Sequence, residues 1–129
     1  MVPEDKNIEY RFSDIKPSKV YHREAVAGRW FKFSYYEQMG NIGSEVYRTF
    51  KWFRQKDDRF QNAFERALEL FDLTLDDSRW KGRRKEIARS RELFCSLMME
   101  PEKYSNLDEE MDAMDKYFIY FALVARRDK

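Results

Sequence analysis

The chain has 129 residues, 43% hydrophobic and 38% charged, a size and balance that fit one folded domain and exclude a disordered polyelectrolyte. Twenty-five Lys and Arg against 24 Asp and Glu leave a net charge of +1, so affinity for nucleic acid must come from a local patch and not from the whole molecule. The uncharged run at 117–125 falls far short of the roughly 20 residues of a membrane span, so no membrane partner is expected.

Residues 1–22 carry no helical period, and Pro3 and Pro17 interrupt them, which predicts an extended N-terminal arm ahead of a helical domain over 23–129. The first residues lack the apolar core and small-residue cleavage site of a secretory signal, so the expected compartment is the cytoplasm. A first helix is predicted over 23–55, with Phe31, Tyr35, Gln38, Ile42, Val46, Thr49 and Phe53 on one stripe. Gly40 and Gly43 sit inside it, where glycine costs roughly 1 kcal/mol against alanine. The stripe keeps phase through Ile42, so the pair is read as a place where a second helix comes close.

The second helix is predicted over 58–75, with Phe60, Phe64, Ala67, Leu68, Phe71 and Leu75 inward and Glu65 and Glu69 pointing away. Asp77 or Ser78 caps a third helix over 79–99, and Pro101 ends it. Asp108 is expected to cap a fourth helix running to about Arg126, with Met111, Met114, Phe118, Phe121, Ala122 and Ala125 inward. Short connections favour antiparallel neighbours, so the expected fold is all-α, an up-down four-helix bundle.

Catalytic chemistry is thinly supplied, and no cofactor is expected. His22 is the only histidine and reads as a solvated or capping residue; Cys95 is the only cysteine and reads as a core residue, which excludes an intrachain disulfide and thiolate metal clusters. Carboxylate metal sites in bundles use histidines on facing helices, and the helical segments hold none, so no metal is expected. Glycine-rich phosphate loops and the nucleophile elbow are missing from the sequence, as is the late Arg-to-His element of HEPN-class helical nucleases.

Two surfaces stand out instead. Aromatics make up 17% of the chain, and Trp30, Phe33, Tyr36, Tyr47 and Trp52 lie off the inward stripe of the first helix, which marks them as a candidate contact surface. From Arg79 to Arg91, seven basic residues and a Trp occupy thirteen positions. Lys81, Lys85 and Arg89 share the outer face there and Arg84 flanks the apolar stripe, a candidate phosphate-backbone contact. Arg83 falls among the inward residues and needs a carboxylate, for which Asp72 and Glu45 are the candidates.

The segments Ile42-Gly-Ser-Glu-Val, Ala63-Phe-Glu-Arg-Ala-Leu-Glu-Leu-Phe-Asp-Leu-Thr and Arg84-Lys-Glu-Ile-Ala-Arg-Ser-Arg-Glu resemble an uncharacterised family of small helical proteins from bacteria and archaea. The resemblance spans roughly residues 30–125 and implies a helical fold without an established activity. In size and helical plan alone the chain is similar to the accessory variability determinant proteins of diversity-generating retroelements. That likeness implies a ring-like oligomer binding a reverse transcriptase and nucleic acid, although the near-neutral charge departs from their basic pattern. The expected function is a noncatalytic, self-associating protein-interaction or scaffold module. The alternative is a nucleic-acid-binding accessory subunit of a ribonucleoprotein or reverse-transcriptase system.

Overall fold

A computed structural model describes residues 10–128, and the regular elements among them are helices: α1 (Arg23–Val26), α2 (Tyr35–Arg54), α3 (Arg59–Leu75), α4 (Arg84–Met99) and α5 (Leu107–Arg127). Short 3₁₀ turns at Arg29–Lys32, Ser78–Arg83 and Pro101–Lys103 join them. No strand occurs among the described residues, and none of their helices is long and apolar enough to cross a membrane. The all-helical expectation therefore holds. Residues 1–9 of the predicted arm lie outside the described residues.

Apolar periodicity gives α3 and α5 their lengths to within a residue or two of the sequence reading, because each presents one uninterrupted stripe to the same core. Phe50, Phe71, Phe94 and Phe118, one from each long helix, are fully buried. Their rings meet at centroid distances of 5.8 Å (Phe50 to Phe94), 5.9 Å (Phe71 to Phe94) and 6.1 Å (Phe71 to Phe118). Burying each such ring contributes about 2–3 kcal/mol. α2 packs along both α3 and α5, α4 lies mainly against α3, and α4 touches α5 only sparingly.

The predicted first helix is corrected to three pieces. Gly28 adopts φ 118°, a left-handed conformation that L side chains rarely take, and this stops α1. α2 restarts at a capping box: Ser34 Oγ accepts from the Glu37 amide at 3.1 Å, and Glu37 Oε1 accepts from the Ser34 amide at 2.8 Å. Phe31, placed on the inward stripe by phase, is 36% exposed because the 3₁₀ turn that carries it does not share the register of α2. The third predicted helix likewise begins as a 3₁₀ turn, with Asp77 accepting from the Arg79 amide at 3.1 Å. Asp108 does not cap α5: Asn106 holds that position without a side-chain cap, and Asp108 accepts instead from Arg54 at 3.2 Å.

Gly40 and Gly43 do what the phase argument expected. A Cβ at Gly40 would stand 3.1 Å from the Ala122 Cα, and one at Gly43 would stand 2.5 Å from the Phe118 Cβ, so both glycines let α5 close on α2. Just ahead of them, in the first turn of α2, Gln38 is fully buried and satisfied. Its amide donates to the Trp30 carbonyl at 3.0 Å and to Asp77 Oδ2 at 2.9 Å, and its oxygen accepts from Trp80 Nε1 at 2.9 Å. That network ties both tryptophan-bearing 3₁₀ turns to α2.

The described part of the arm, residues 10–22, lies against α3 and α4. Phe12 enters the core at 8% exposure, and Arg11 makes a two-point contact with Glu100 at 2.8 and 3.0 Å. Glu65 and Glu69, expected to point away from the inward face of their helix, face the arm: Glu65 accepts from Ser18 Oγ at 2.8 Å and Tyr21 OH at 2.7 Å, and Glu69 is 7% exposed. Both do point away from the four-helix core, and the arm covers that side.

Candidate functional site

The five aromatics proposed as one contact surface separate. Trp30 is corrected to a buried residue, 3% exposed, with Nε1 donating to Thr74 Oγ1 at 3.0 Å. Phe33 and Tyr36 are half-buried and pack on the core, Phe33 edge-on to Trp30 and Tyr36 against Phe121. Tyr47 is 59% exposed. Trp52 is half-buried, with the Arg59 guanidinium 3.7 Å from its ring centroid.

Tyr47 and Trp52 border a groove of about 450 Å³ between α2 and α5, where they are joined by Ile119; Gly40, Gly43, Phe118 and Ala122 also line it. The small residues that bring the helices together thus also shape the depression. Beside the groove, α5 displays Ile119, Tyr120 and Leu123, at 54, 57 and 55% exposure. Large apolar side chains scattered singly on a surface are ordinary, but three within five positions of one helix, continued by Tyr47 across the groove, form a patch. Sequence reasoning assigned α5 only an inward stripe; the run of nine uncharged residues at 117–125 was the signal that its outer face is apolar too.

No protein-family model, curated protein or solved structure matches this chain. The site therefore rests on its own geometry.

Asp115 lies in the same groove, with Oδ1 buried and unpartnered. Burial pushes its carboxyl up to about 6, the Arg54 charge opposing and the Asp112 charge adding. The folded state thus favours the protonated acid, and the cost of ionising it in place appears as pH rises from the unfolded value near 4 through about 6. Asp115→Asn is expected to stabilise the protein at pH 7 by about 1 kcal/mol, a rise of roughly 3–5 °C in Tm, and to have no such effect near pH 4. Thermal melts at both pH values check it.

The basic face is present in the structure. Lys81, Arg84, Lys85 and Arg89 are all exposed, while the Arg84 guanidinium turns back to donate to the Leu75 carbonyl. Arg83 is corrected: it is exposed, with its guanidinium 4.3 Å from the Tyr35 ring centroid, and takes no part in a buried ion pair. The buried arginine is Arg91, 4% exposed, whose Nε donates to Asp72 at 2.9 Å. Glu45, the other carboxylate proposed for Arg83, pairs with His22, Arg48 and Arg66.

His22 is neither solvated nor a side-chain cap. Its Nδ1 meets Glu69 Oε1 at 2.7 Å and its Nε2 meets Glu45 Oε2 at 3.1 Å, while its backbone amide donates to the same Glu69 oxygen at 2.7 Å. The hydrogen bond to Glu45 raises the His22 pKa, burial opposes this, and Glu69 adds to the rise. Burial pushes the Glu45 carboxyl up, but the His22 hydrogen bond and the Arg66 and Arg48 charges outweigh it and hold Glu45 below its ordinary value. No cluster of three or more such side chains among the described residues has the arrangement to hold a metal ion.

The imidazolium therefore bridges the arm to α2 and α3. Its contribution to stability is complete below the unfolded pKa of 6.5 and disappears as pH rises through the elevated folded value. The Glu45 contribution runs the other way, lost as pH falls below 4.5 through its lowered value. His22→Gln is expected to cost about 2 kcal/mol at pH 6 and much less at pH 9, so urea denaturation curves of the two proteins should converge as pH rises.

Proposed function

We propose that this chain is a noncatalytic protein-interaction or scaffold module that self-associates, an antiparallel up-down four-helix bundle whose working face is the α2 and α5 side. The observation that carries this reading is the patch of Ile119, Tyr120, Leu123 and Tyr47, each more than half exposed beside the α2–α5 groove. Covering a patch of this kind removes apolar area from water at about 25 cal/mol per Å², which favours a partner surface over solvent. The resemblance to small helical bacterial and archaeal proteins suits this plan and adds no activity to it. His22 is assigned to anchoring the arm, since both of its ring nitrogens are taken up by carboxylates. Light scattering on the purified protein at low and high salt, taken up to about 500 μM, tests the reading: a salt-resistant oligomer supports it, and a monomer throughout overturns it.

A second reading is favoured by the exposure of Lys81, Lys85 and Arg89 along α4 and the turn before it, with Arg84 beside them. A nucleic-acid-binding accessory subunit would use these groups on a phosphate backbone. Its affinity would fall steeply with salt and be lost when Lys85 and Arg89 become Glu.

A further inference from the structure

The exposed side chains of α5 include Asp112, Lys116, Ile119, Tyr120, Leu123 and Arg127, positions i, i+4, i+7, i+8, i+11 and i+15, which at about 100° per residue form a single stripe along the helix. Its two ends differ in charge. The first turn holds Asp108, Glu109 and Glu110, and the last turn holds Arg126 and Arg127, with the apolar triplet between. Such a stripe is complementary to itself only when reversed: a parallel copy would set acid on acid and base on base, while an antiparallel copy sets each acidic end on a basic one and opposes the two helix dipoles.

Resting on the self-association reading, we infer that the α5 face is covered by a second copy of this chain, its α5 laid antiparallel across a two-fold axis that passes between Ile119 and Tyr120. With the axis there, Ile119 meets Ile119 of the second copy and Tyr120 meets Tyr120. Leu123 packs on the aliphatic stem of Lys116, and Glu109 faces Arg126 and Arg127 beside Asp112, which is itself held by Arg54 at 2.8 Å. The apolar centre supplies affinity and the charged ends fix direction and register. One helix face is narrower than a standard interface, so dissociation in the micromolar range, about 10–100 μM, is expected.

A residue on a two-fold axis meets its own copy, which makes Ile119→Cys the direct test. Cys95 is buried and does not compete. Under mild oxidation Ile119→Cys is expected to form a covalent dimer, whereas Leu93→Cys, on the exposed side of α4, is not. Ile119→Asp, an exposed substitution that leaves the core intact, should weaken association at least about tenfold by sedimentation. Arg127→Glu and Glu109→Arg should each weaken it about threefold or more, and the pair together should restore it. A dimer that survives Ile119→Asp and gives no cross-link at 119 overturns this pairing while leaving self-association standing. A protein that stays monomeric to several hundred micromolar, about 500 μM, overturns both.

Discussion

Gly43→Ala is expected to destabilise the protein by about 2–3 kcal/mol, although alanine is the better helix former by roughly 1 kcal/mol. The new methyl would stand 2.5 Å from the Phe118 Cβ and 3.1 Å from its Cγ. Because the nearest clash is with the root of that side chain, no rotamer of Phe118 relieves it, and Phe118→Ala would not rescue it. The helices must separate instead, and α2–α5 packing along the groove is lost. Gly40→Ala meets the Ala122 backbone at 3.1 Å, so its smaller shift is offset in part by propensity and the cost should be about 1 kcal/mol. Gly82 has open space around it, and Gly82→Ala should be neutral or stabilising by a few tenths of a kcal/mol, about 0.3. Urea denaturation of the three variants checks the order. Near-equal effects at 40, 43 and 82 would mean that α5 does not approach α2 this closely.

These glycines also mark what the sequence could disclose. Helical phase carried through Ile42 pointed to close packing, and Ala122 and Phe118 are the atoms that fill the space. The same phase misled at the ends of helices. Continuing it back from Tyr35 through Phe31 ignored Ser34 and Glu37, whose spacing is that of a capping box and was legible in the sequence. Arg83 was placed inward by counting back from Ile87 at an α-helical step. The Ser78–Arg83 turn is a tighter 3₁₀ helix with a non-helical Trp80, so the count lost register and the buried role fell to Arg91. Asp72 was nevertheless the correct carboxylate for a buried arginine.

Other features had no sequence signal. Nothing in local spacing relates His22 to Glu45 and Glu69, since the contact forms only once the arm crosses α3. A polar helix face covered by an arm has the same periodicity as one covered by water, so the outward placing of Glu65 and Glu69 said nothing of the arm that covers them. Trp30 was misplaced on the candidate surface for a related reason. Trp30 and Tyr47 are alike in being aromatic and off the inward stripe, but one is buried with its Nε1 on Thr74 and the other borders the open groove. Ile119, Tyr120 and Leu123 differ in that the nine uncharged residues at 117–125 did signal an apolar outer face, a signal that reading α5 for its inward stripe alone passed over.

Arg91→Met should cost about 3–5 kcal/mol, the range for breaking a buried ion pair on one side only. Methionine keeps most of the stem volume, so the loss is that of the guanidinium fork. That fork donates to Asp72 Oδ1 at 2.9 Å, to the Phe12 carbonyl at 2.9 Å and to the Ile15 carbonyl at 2.5 Å, which makes Arg91 the point where α3, α4 and the arm are joined. Without it Asp72 keeps, among the described residues, Lys16 at 3.7 Å, which is largely exposed; the Ile15 carbonyl loses its donor, while the Phe12 carbonyl keeps the Ile15 amide at 3.1 Å. Phe12 then leaves the core more readily, and trypsin should cut after Lys19 before the bundle unfolds; Pro17 protects the bond after Lys16. Arg91→Lys should behave nearly as badly, since one ammonium cannot reach three acceptors arranged for a planar fork. Adding Asp72→Asn to Arg91→Met removes the uncompensated charge and should recover about 1–2 kcal/mol, while the arm stays loose because the guanidinium that held the Phe12 and Ile15 carbonyls to α4 is still missing. Stability that recovers together with protease resistance in the double variant would mean that the ion pair, and not the carbonyl contacts, holds the arm. A loss below about 1 kcal/mol in Arg91→Met with the arm still protected would mean that Phe12 packing and the His22 bridge suffice without it.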